Sequence, residues 1–135
     1  MRELQDLDRN MPILVADDSP SMRRIVRSCL RQLGFENVTE AEGGADALSK
    51  LSEADFQFII SDWSMPDMSG TELLSSLRGN DRLRTIPVLL VAAEAEKAQF
   101  KPVTEPPARE ALIIKPFTRD ILKERMADVL EASRK

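Results

Sequence analysis

Four residues of this chain have side chains that suit phosphate and metal chemistry: Asp17, Asp18, Asp62 and Lys115. Carboxylates bind hard divalent cations such as Mg²⁺, and a lysine ammonium holds a phosphate oxygen as a point charge. A carboxylate can also attack phosphorus and form an aspartyl phosphate. These residue types therefore indicate metal-assisted phosphoryl transfer, provided that the fold brings them together.

The composition excludes several other kinds of chemistry. The 135 residues contain no histidine, so the chain offers no histidine ligand, histidine general base or histidine-containing triad. The lone cysteine, Cys29, cannot form an internal disulfide or a cysteine zinc site. The net charge of −4 argues against a nucleic-acid-binding protein, which usually presents a basic face.

Length and charge pattern predict one globular domain. The hydrophobic share of 42% and the charged share of 31% are typical of such a domain. We expect an N-terminal extension over residues 1–10 and a folded unit over residues 11–133. The extension has no apolar run typical of a signal peptide, and no segment reaches the ~20 apolar residues that span a bilayer. We therefore expect a cytoplasmic protein without membrane insertion.

Short apolar runs alternate with segments of helical period. Runs without polar alternation predict strands buried on both faces, and one weaker run predicts an edge strand. These runs are Ile13–Ala16, Phe58–Ile60, Val88–Val91, Ala111–Ile114 and, at the edge, Asn37–Glu40. Apolar spacings of three and four predict helices from Pro20 up to Gly34, from Gly44 to Ser52, from Ser69 through Leu77 and from Thr118 through Leu130. The alternation predicts an α/β fold with a doubly wound, five-stranded parallel sheet.

The connection between the fourth and fifth strands departs from this pattern. Pro102, Pro106 and Pro107 lie there, and a proline in a helix interior costs ~3 kcal/mol or more. We expect a short turn or helix over residues 94–100, followed by irregular chain.

The first helix carries three arginines, Arg23, Arg24 and Arg27, which we expect to form a solvated face. Cys29 lies on the apolar stripe of the same helix and is expected to pack in the core.

Parallel strands end at one edge of the sheet, where ligands bind in folds of this kind. The two adjacent acids follow the first strand, Asp62 follows the third, Ala92 the fourth and Lys115 the fifth. Clustered carboxylates repel one another unless a cation lies among them. The sequence therefore predicts a Mg²⁺ site at this edge.

At these positions the sequence resembles the receiver domains of two-component response regulators, in particular the single-domain CheY-like chemotaxis type. The resemblance covers about residues 11–132. The matching stretches are Val15–Asp18, Ser21–Arg27, Leu33–Phe35, Ile60–Trp63, Met65–Gly70, Ala93–Lys97 and Ile114–Phe117. It implies the flavodoxin-like strand order 2-1-3-4-5.

The resemblance also implies a role for each site residue. Asp62 would be the phosphoacceptor, and Lys115, followed by a cis prolyl peptide, would pair with the phosphoryl group. Asp18 would hold Mg²⁺ directly and Asp17 through water. Asp62 and the backbone carbonyl of Ser64 would be further metal ligands.

The implied partners are proteins. The phosphate donor would be a phosphohistidine on a sensor histidine kinase, or a small acyl phosphate. The protein would catalyse only its own phosphorylation and dephosphorylation, and it would signal by binding an unknown downstream target or act as a phosphate sink. We expect a monomer.

Two departures from the family pattern concern the readout. The family has Thr or Ser at the end of the fourth strand, whereas this chain has Ala92, which cannot donate a hydrogen bond. The family's switch residue in the fifth strand is often Tyr or Phe, whereas this chain has Leu112. A proline-rich stretch at residues 101–107 also replaces much of the family's fourth helix, so we expect an atypical switch.

Three alternatives differ in kind from a phosphorylated receiver. A phosphorylation-independent binding module would fit Ala92 and Leu112. It does not explain why the chain has three acids and a lysine at the strand ends. A haloacid-dehalogenase-type phosphatase needs an acid two residues after its nucleophile, and Ser19 stands two residues after Asp17. A flavin-binding protein needs a hydroxyl-rich phosphate loop after the first strand, where this chain begins with two acids.

Overall fold

The computed structural model describes residues 8–102 and 108–133. Within these ranges the strands are β1 (Ile13–Ala16), β2 (Val38–Ala41), β3 (Phe58–Asp62), β4 (Val88–Ala92) and β5 (Glu110–Ile114). The α-helices are α1 (Pro20–Gln32), α2 (Gly44–Glu53), α3 (Gly70–Arg78) and α4 (Arg119–Ser133), and a 3₁₀ helix (Glu94–Gln99) follows β4. No helix in the described ranges is both long and apolar enough to cross a membrane.

The strands form one parallel sheet in the order β2-β1-β3-β4-β5. This order confirms the predicted doubly wound fold, with β2 at an edge. The strand order changes direction between β1 and β3. In such a sheet a crevice opens outside the carboxyl ends of these strands.

Each face of the sheet has its own hydrophobic core. Side chains alternate along β1, so Ile13 and Val15 pack with residues of α1 and α4, whereas Leu14 and Ala16 pack with residues of α2 and α3. All residues of β1 and of β4 are buried, as runs without polar alternation predict. Covering both faces fixes the strands and, with them, the loops at their carboxyl ends.

The residues that the sequence indicates as helix signals mark the start of α1, the end of α1 and the start of α3. Ser19 caps α1, because its Oγ accepts a hydrogen bond from the Met22 amide at 3.2 Å. The chain leaves α1 through Gly34, whose φ of +97° favours glycine. Ser69 and Glu72 form the predicted capping box at the start of α3.

The connection between β4 and β5 contains no α-helix in its described part. The 3₁₀ helix covers six residues, none of them buried, and extended chain follows from Phe100. This agrees with the expected short helix. Pro106 and Pro107 lie outside the described residues, and so does most of the irregular chain predicted there.

A buried ion pair joins α3 to the start of β5, at the sheet end opposite the crevice. Arg78 Nη2 lies 2.7 Å from Glu110 Oε2, and the two side chains are 8% and 0% exposed. Arg78 Nη1 also donates to the Ile86 carbonyl at 2.8 Å. The pair therefore fixes β5 relative to α3 at one end of the molecule.

Candidate functional site

The adjacent acids lie in the loop between β1 and α1. Asp17 is buried, with 3% of its surface exposed, whereas Asp18 is exposed. The Ser19 amide donates to Asp17 Oδ1 at 2.8 Å, which orients that carboxylate. The pair therefore presents one buried and one accessible carboxylate to the crevice.

Asp62 is the last residue of β3, and Lys115 follows β5 directly. Asp62 is 7% exposed, and Lys115 Nζ lies 3.4 Å from its Oδ1. The Lys115–Pro116 peptide is cis, as the sequence resemblance implies. The fold thus brings together a carboxylate and an ammonium group that are 53 residues apart in the chain.

The three predicted carboxylates form one cluster. Oxygens of Asp17, Asp18 and Asp62 all lie within 4.8 Å of one another. Burial raises the pKa of Asp17 to about 6, with a smaller contribution from the Asp62 charge. Burial also raises the pKa of Asp62, although Lys115 opposes this shift. The donor set is entirely oxygen and groups three carboxylates beside a single lysine, so it suits a hard divalent cation.

Arg23 supports the acid pair from α1. Its Nη1 donates to the Asp17 carbonyl at 2.6 Å and its Nε donates to Glu40 Oε1 at 2.9 Å. The Arg23 side chain is only 11% exposed, so the predicted solvated face is wrong for this residue, whereas Arg24 is exposed. Helical periodicity does not reveal this role, because it gives no information about the acceptors after β1 and on β2.

Asp67 anchors the loop between β3 and α3, a role that was not predicted from the sequence. Its Oδ1 and Oδ2 accept hydrogen bonds from the Gly44 and Ala45 amides at 3.2 and 2.9 Å. These amides, at the start of α2, lower the pKa of Asp67. A Cβ on Gly43 would lie 2.7 Å from Asp67 Oδ1. The Gly43–Gly44 pair could therefore have indicated that another side chain lies close to the backbone at the start of α2.

Ser64 lies at the rim of the cluster, two residues after Asp62. Its Oγ donates a hydrogen bond to Glu96 Oε2 at 3.0 Å, across 32 residues of sequence. Glu96 Oε1 also accepts a hydrogen bond from the Ala93 amide at 2.8 Å. Glu96 thereby joins the loop after β3 to the 3₁₀ helix after β4, and this contact was not predicted from the sequence.

The two atypical positions lie at the end of β4 and in the middle of β5. Ala92 is fully buried at the end of β4, and its carbonyl accepts a hydrogen bond from the Lys115 amide at 2.8 Å. Leu112 is half-buried in β5 and, with Phe100 and Ile121, lines an open groove of about 660 Å³. The side chain at the end of β4 therefore offers methyl contact and no hydrogen-bond donor.

Comparisons of sequence and of structure both match this chain to response regulators. Residues 13–127 match the family described as the response regulator receiver domain. The chain is 42% identical to chemotaxis protein CheY-3 of Vibrio cholerae over 125 residues, covering 93% of this chain and 95% of that protein. It is 41% identical to chemotaxis protein CheY of Pseudomonas aeruginosa over 121 residues, covering 90% and 97%. Response regulator TrrA of Thermotoga maritima, solved in complex with Mg²⁺-BeF, superposes with a TM-score of 0.73 at 28% identity, covering 88% of this chain and 98% of that one.

Proposed function

The chain belongs to the response regulator receiver family, and on that premise we propose that it accepts a phosphoryl group on Asp62 in a Mg²⁺-dependent reaction. One observation carries this proposal. Oxygens of Asp17, Asp18 and Asp62 lie within 4.8 Å of one another, and Lys115 Nζ lies 3.4 Å from Asp62 Oδ1. Phosphoryl transfer needs an aligned nucleophile and positive charge beside the transferred group, and these residues supply both.

Asp62 is the nucleophile of the proposed reaction. One of its carboxylate oxygens attacks phosphorus, while the bond from phosphorus to the donor's nitrogen or oxygen breaks and its electron pair leaves with the donor. The ammonium group of Lys115 lies beside that carboxylate and stabilises the negative charge of the phosphoryl oxygens. Because Asp62 is 7% exposed, little water surrounds the attacking oxygen.

Receiver domains bind Mg²⁺ at an acidic site, and the donor set of this chain fits the same ion. Asp18 and Asp62 would hold it directly, Asp17 through water, and Ser64 through its backbone carbonyl. When bound, Mg²⁺ supplies positive charge that offsets the repulsion between carboxylates and aligns the phosphoryl oxygens. Arg23 and Asp67 hold the two loops that carry these ligands.

Receiver domains are signalling proteins that histidine kinases phosphorylate and that bind downstream targets. We propose a sensor histidine kinase as the donor here and residues 11–133 as the receiver unit, acting as a cytoplasmic monomer. The receiver would catalyse only its own phosphorylation and dephosphorylation. Its switch would be atypical, because Ala92 and Leu112 lack the hydroxyl and the aromatic ring found in many relatives. Its output would be binding of a protein target or removal of phosphate from a shared kinase.

The test is the intact mass of the protein after incubation with acetyl phosphate and Mg²⁺. We expect the mass to increase by one phosphoryl group in the wild type and in Asp81→Ala, which removes an exposed carboxylate outside the site. We expect no gain in Asp62→Ala or in the presence of a chelator. Labelling that persists in folded Asp62→Ala would contradict the assignment of the phosphoacceptor.

A second candidate is a binding module that works without phosphorylation. Ala92 favours it, because a fully buried methyl group at the end of β4 cannot bond to a phosphoryl oxygen. The Mg²⁺ affinities of the wild type and Asp18→Asn separate the two candidates. A receiver should lose affinity in the variant, whereas a module without a metal site should show no Mg²⁺ binding in either protein.

A further inference from the structure

The hydrogen bond between Ser64 and Glu96 connects two loops that are distant in sequence. Ser64 Oγ lies 3.0 Å from Glu96 Oε2, and the second oxygen of Glu96 accepts the Ala93 amide at 2.8 Å. Both oxygens of this carboxylate therefore accept hydrogen bonds, one from the loop after β3 and one from the start of its own helix. A shift of Ser64 therefore moves the donor to which the 3₁₀ helix is tied through Glu96.

A cation bound at the carboxylate cluster would affect the hydrogen bond to Glu96 through Ser64. It lies two residues after Asp62, and in the proposed function its backbone carbonyl binds the metal. The carbonyl and Oγ belong to the same residue, so a rotation that brings the carbonyl to a cation also moves the donor to Glu96. Binding at the cluster and the geometry of the hydrogen bond are thus physically linked.

The 3₁₀ helix is suited to respond to this link. None of its residues is buried, so core packing does not fix it in place. The alternative route from the cluster to this segment would pass through the side chain at the end of β4, where Ala92 has no hydrogen-bonding group. Glu96 is the residue of this helix whose side chain both caps the helix start at Ala93 and accepts a hydrogen bond from Ser64 in the loop after β3.

We propose that the Ser64–Glu96 hydrogen bond transmits occupancy of the carboxylate cluster to the 3₁₀ helix, in place of the hydroxyl that Ala92 lacks. Glu96 is thus a positioning residue that acts through Ser64. This inference rests on the proposed function, because it requires the cluster to bind Mg²⁺. By reciprocity, a connection that moves the helix on metal binding must also contribute to metal affinity.

The test follows backbone amide resonances of the full chain by NMR during titration with Mg²⁺ alone. In the wild type we expect shifts both at the cluster, over residues 16–18, and in the helix, over residues 94–99. In Ser64→Ala, which leaves the backbone carbonyl and every carboxylate in place, the cluster should still shift. The shifts of residues 94–99 should be largely lost, and Mg²⁺ affinity should fall roughly two- to tenfold, the factor expected for one hydrogen bond.

Two glutamate variants make the result specific. Glu96→Gln keeps an acceptor for Ala93 and a polar group facing Ser64, so the shifts in the helix should be retained. Glu94→Ala truncates another glutamate of the same helix that no described hydrogen bond joins to Ser64, and it should behave like the wild type. Loss of the helix shifts in Glu94→Ala to the same degree as in Ser64→Ala would overturn the proposal, because the effect would then be general.

The outcomes also separate this inference from the proposed function. If residues 94–99 shift in Ser64→Ala as far as in the wild type, the hydrogen bond transmits nothing and the inference is wrong while the metal site stands. If residues 16–18 of the wild type do not shift with Mg²⁺, the metal site itself fails and the inference fails with it.

Discussion

Ala92 shows how one side chain limits what the site can do. It ends β4 between Asp62 on β3 and Lys115 after β5, and its own carbonyl accepts the Lys115 amide. In the proposed reaction, the hydroxyl that the family has at this position would donate a hydrogen bond to the phosphoryl group on Asp62. The methyl group that stands there packs against the apolar core of one sheet face and leaves a phosphoryl oxygen without this partner.

Replacing Ala92 with serine should lengthen the lifetime of the phosphoryl group on Asp62. The new hydroxyl can donate one hydrogen bond to a phosphoryl oxygen, so the lifetime should rise roughly two- to tenfold. The measurement is the decay of phosphorylated mass after the donor is removed. Ala93→Ser, at the exposed next position, should decay as the wild type does, and equal lifetimes in the two variants would contradict the prediction.

The residues that the sequence identifies correctly are those whose place follows from the strand ends. Parallel strands bring their last residues to one edge, so Asp17, Asp18, Asp62 and Lys115 could be expected to converge, and they do. The contacts of Arg23 and Glu96 could not be predicted. They depend on how long side chains cross between elements, which periodicity does not encode.

At the scale of elements, ion pairs and close backbone contacts hold the loops of the site. Arg23 and Arg27 on α1 each lie 2.9 Å from a different oxygen of Glu40 on β2. Burial raises the pKa of Glu40, but hydrogen bonds from both arginines outweigh it and leave the pKa below its ordinary value. The α1–β2 contact therefore favours the charged form of Glu40, and Arg23 extends this contact to the acid pair.

Replacing Glu40 with glutamine should destabilise the protein at neutral pH but not in acid. Because folding lowers this pKa, the stabilisation is fully present above the ordinary value of 4.5 and disappears as the pH falls through the folded value. We expect a loss of up to about 1 kcal/mol at pH 7, since Glu40 is partly exposed. Urea unfolding from pH 7 to pH 3 measures the difference in unfolding free energy between the wild type and the variant. Exposed Glu36→Gln is the control, and a difference that stays constant down to pH 3 would argue against the ion pairs.

Gly70 begins α3 at the point where the helix approaches the end of β3. Its amide donates to the Trp63 carbonyl at 2.8 Å, and a Cβ on this residue would overlap the backbone oxygen of Asp62. Gly70→Ala should therefore displace Asp62, weaken Mg²⁺ binding and lower the free energy of unfolding by about 1–3 kcal/mol.

Gly79→Ala is the matched control for that change. A Cβ on Gly79 would meet its nearest atom, the Ser75 carbonyl oxygen, at 3.5 Å, which is ordinary contact. We expect unfolding free energy within about 0.5 kcal/mol of the wild type and unchanged Mg²⁺ affinity. Equal losses in the two variants, measured by urea unfolding and metal titration, would show that the contact with Asp62 is unimportant.

At the scale of the whole molecule, the buried ion pair and the candidate site lie at opposite ends of the strands. The Arg78–Glu110 pair lies where β5 begins, and the carboxylate cluster and Lys115 lie where the strands finish. Glu110 precedes Lys115 by five residues, which is roughly 16 Å along a strand. The buried ion pair and the proposed phosphoryl site therefore lie at opposite ends of the strands.

Replacing Glu110 with glutamine should lower stability without changing Mg²⁺ affinity. Removing its charge leaves the buried guanidinium of Arg78 without its anion, and breaking such a pair costs about 3 kcal/mol or more. Asp55→Asn removes the anion of an exposed pair with Arg82 and should cost at most about 1 kcal/mol. Thermal unfolding and metal titration measure the two quantities. A weakened metal site in folded Glu110→Gln would show that the two ends are coupled.

The sequence predicted the architecture well because the strongest signals lie in the core. Uninterrupted apolar runs gave β1 in full and placed β3, β4 and β5 to within two residues. Strand ends were less certain, since β3 and β4 continue into Asp62 and Ala92, where buried polar or small residues carry no apolar signal. The Arg78–Glu110 pair was not predicted, because its partners are 32 residues apart and neither belongs to a motif.

The 3₁₀ helix after β4 has a consequence for how this fold can be altered. None of its six residues contributes to the core, so their replacement carries no packing penalty. A binding peptide or a reporter could be grafted over Lys97–Gln99 while Ala93 and Glu96 keep their contacts. The segment is thus suited to insertions, because a new binding sequence can be placed there without changing the packing of the core.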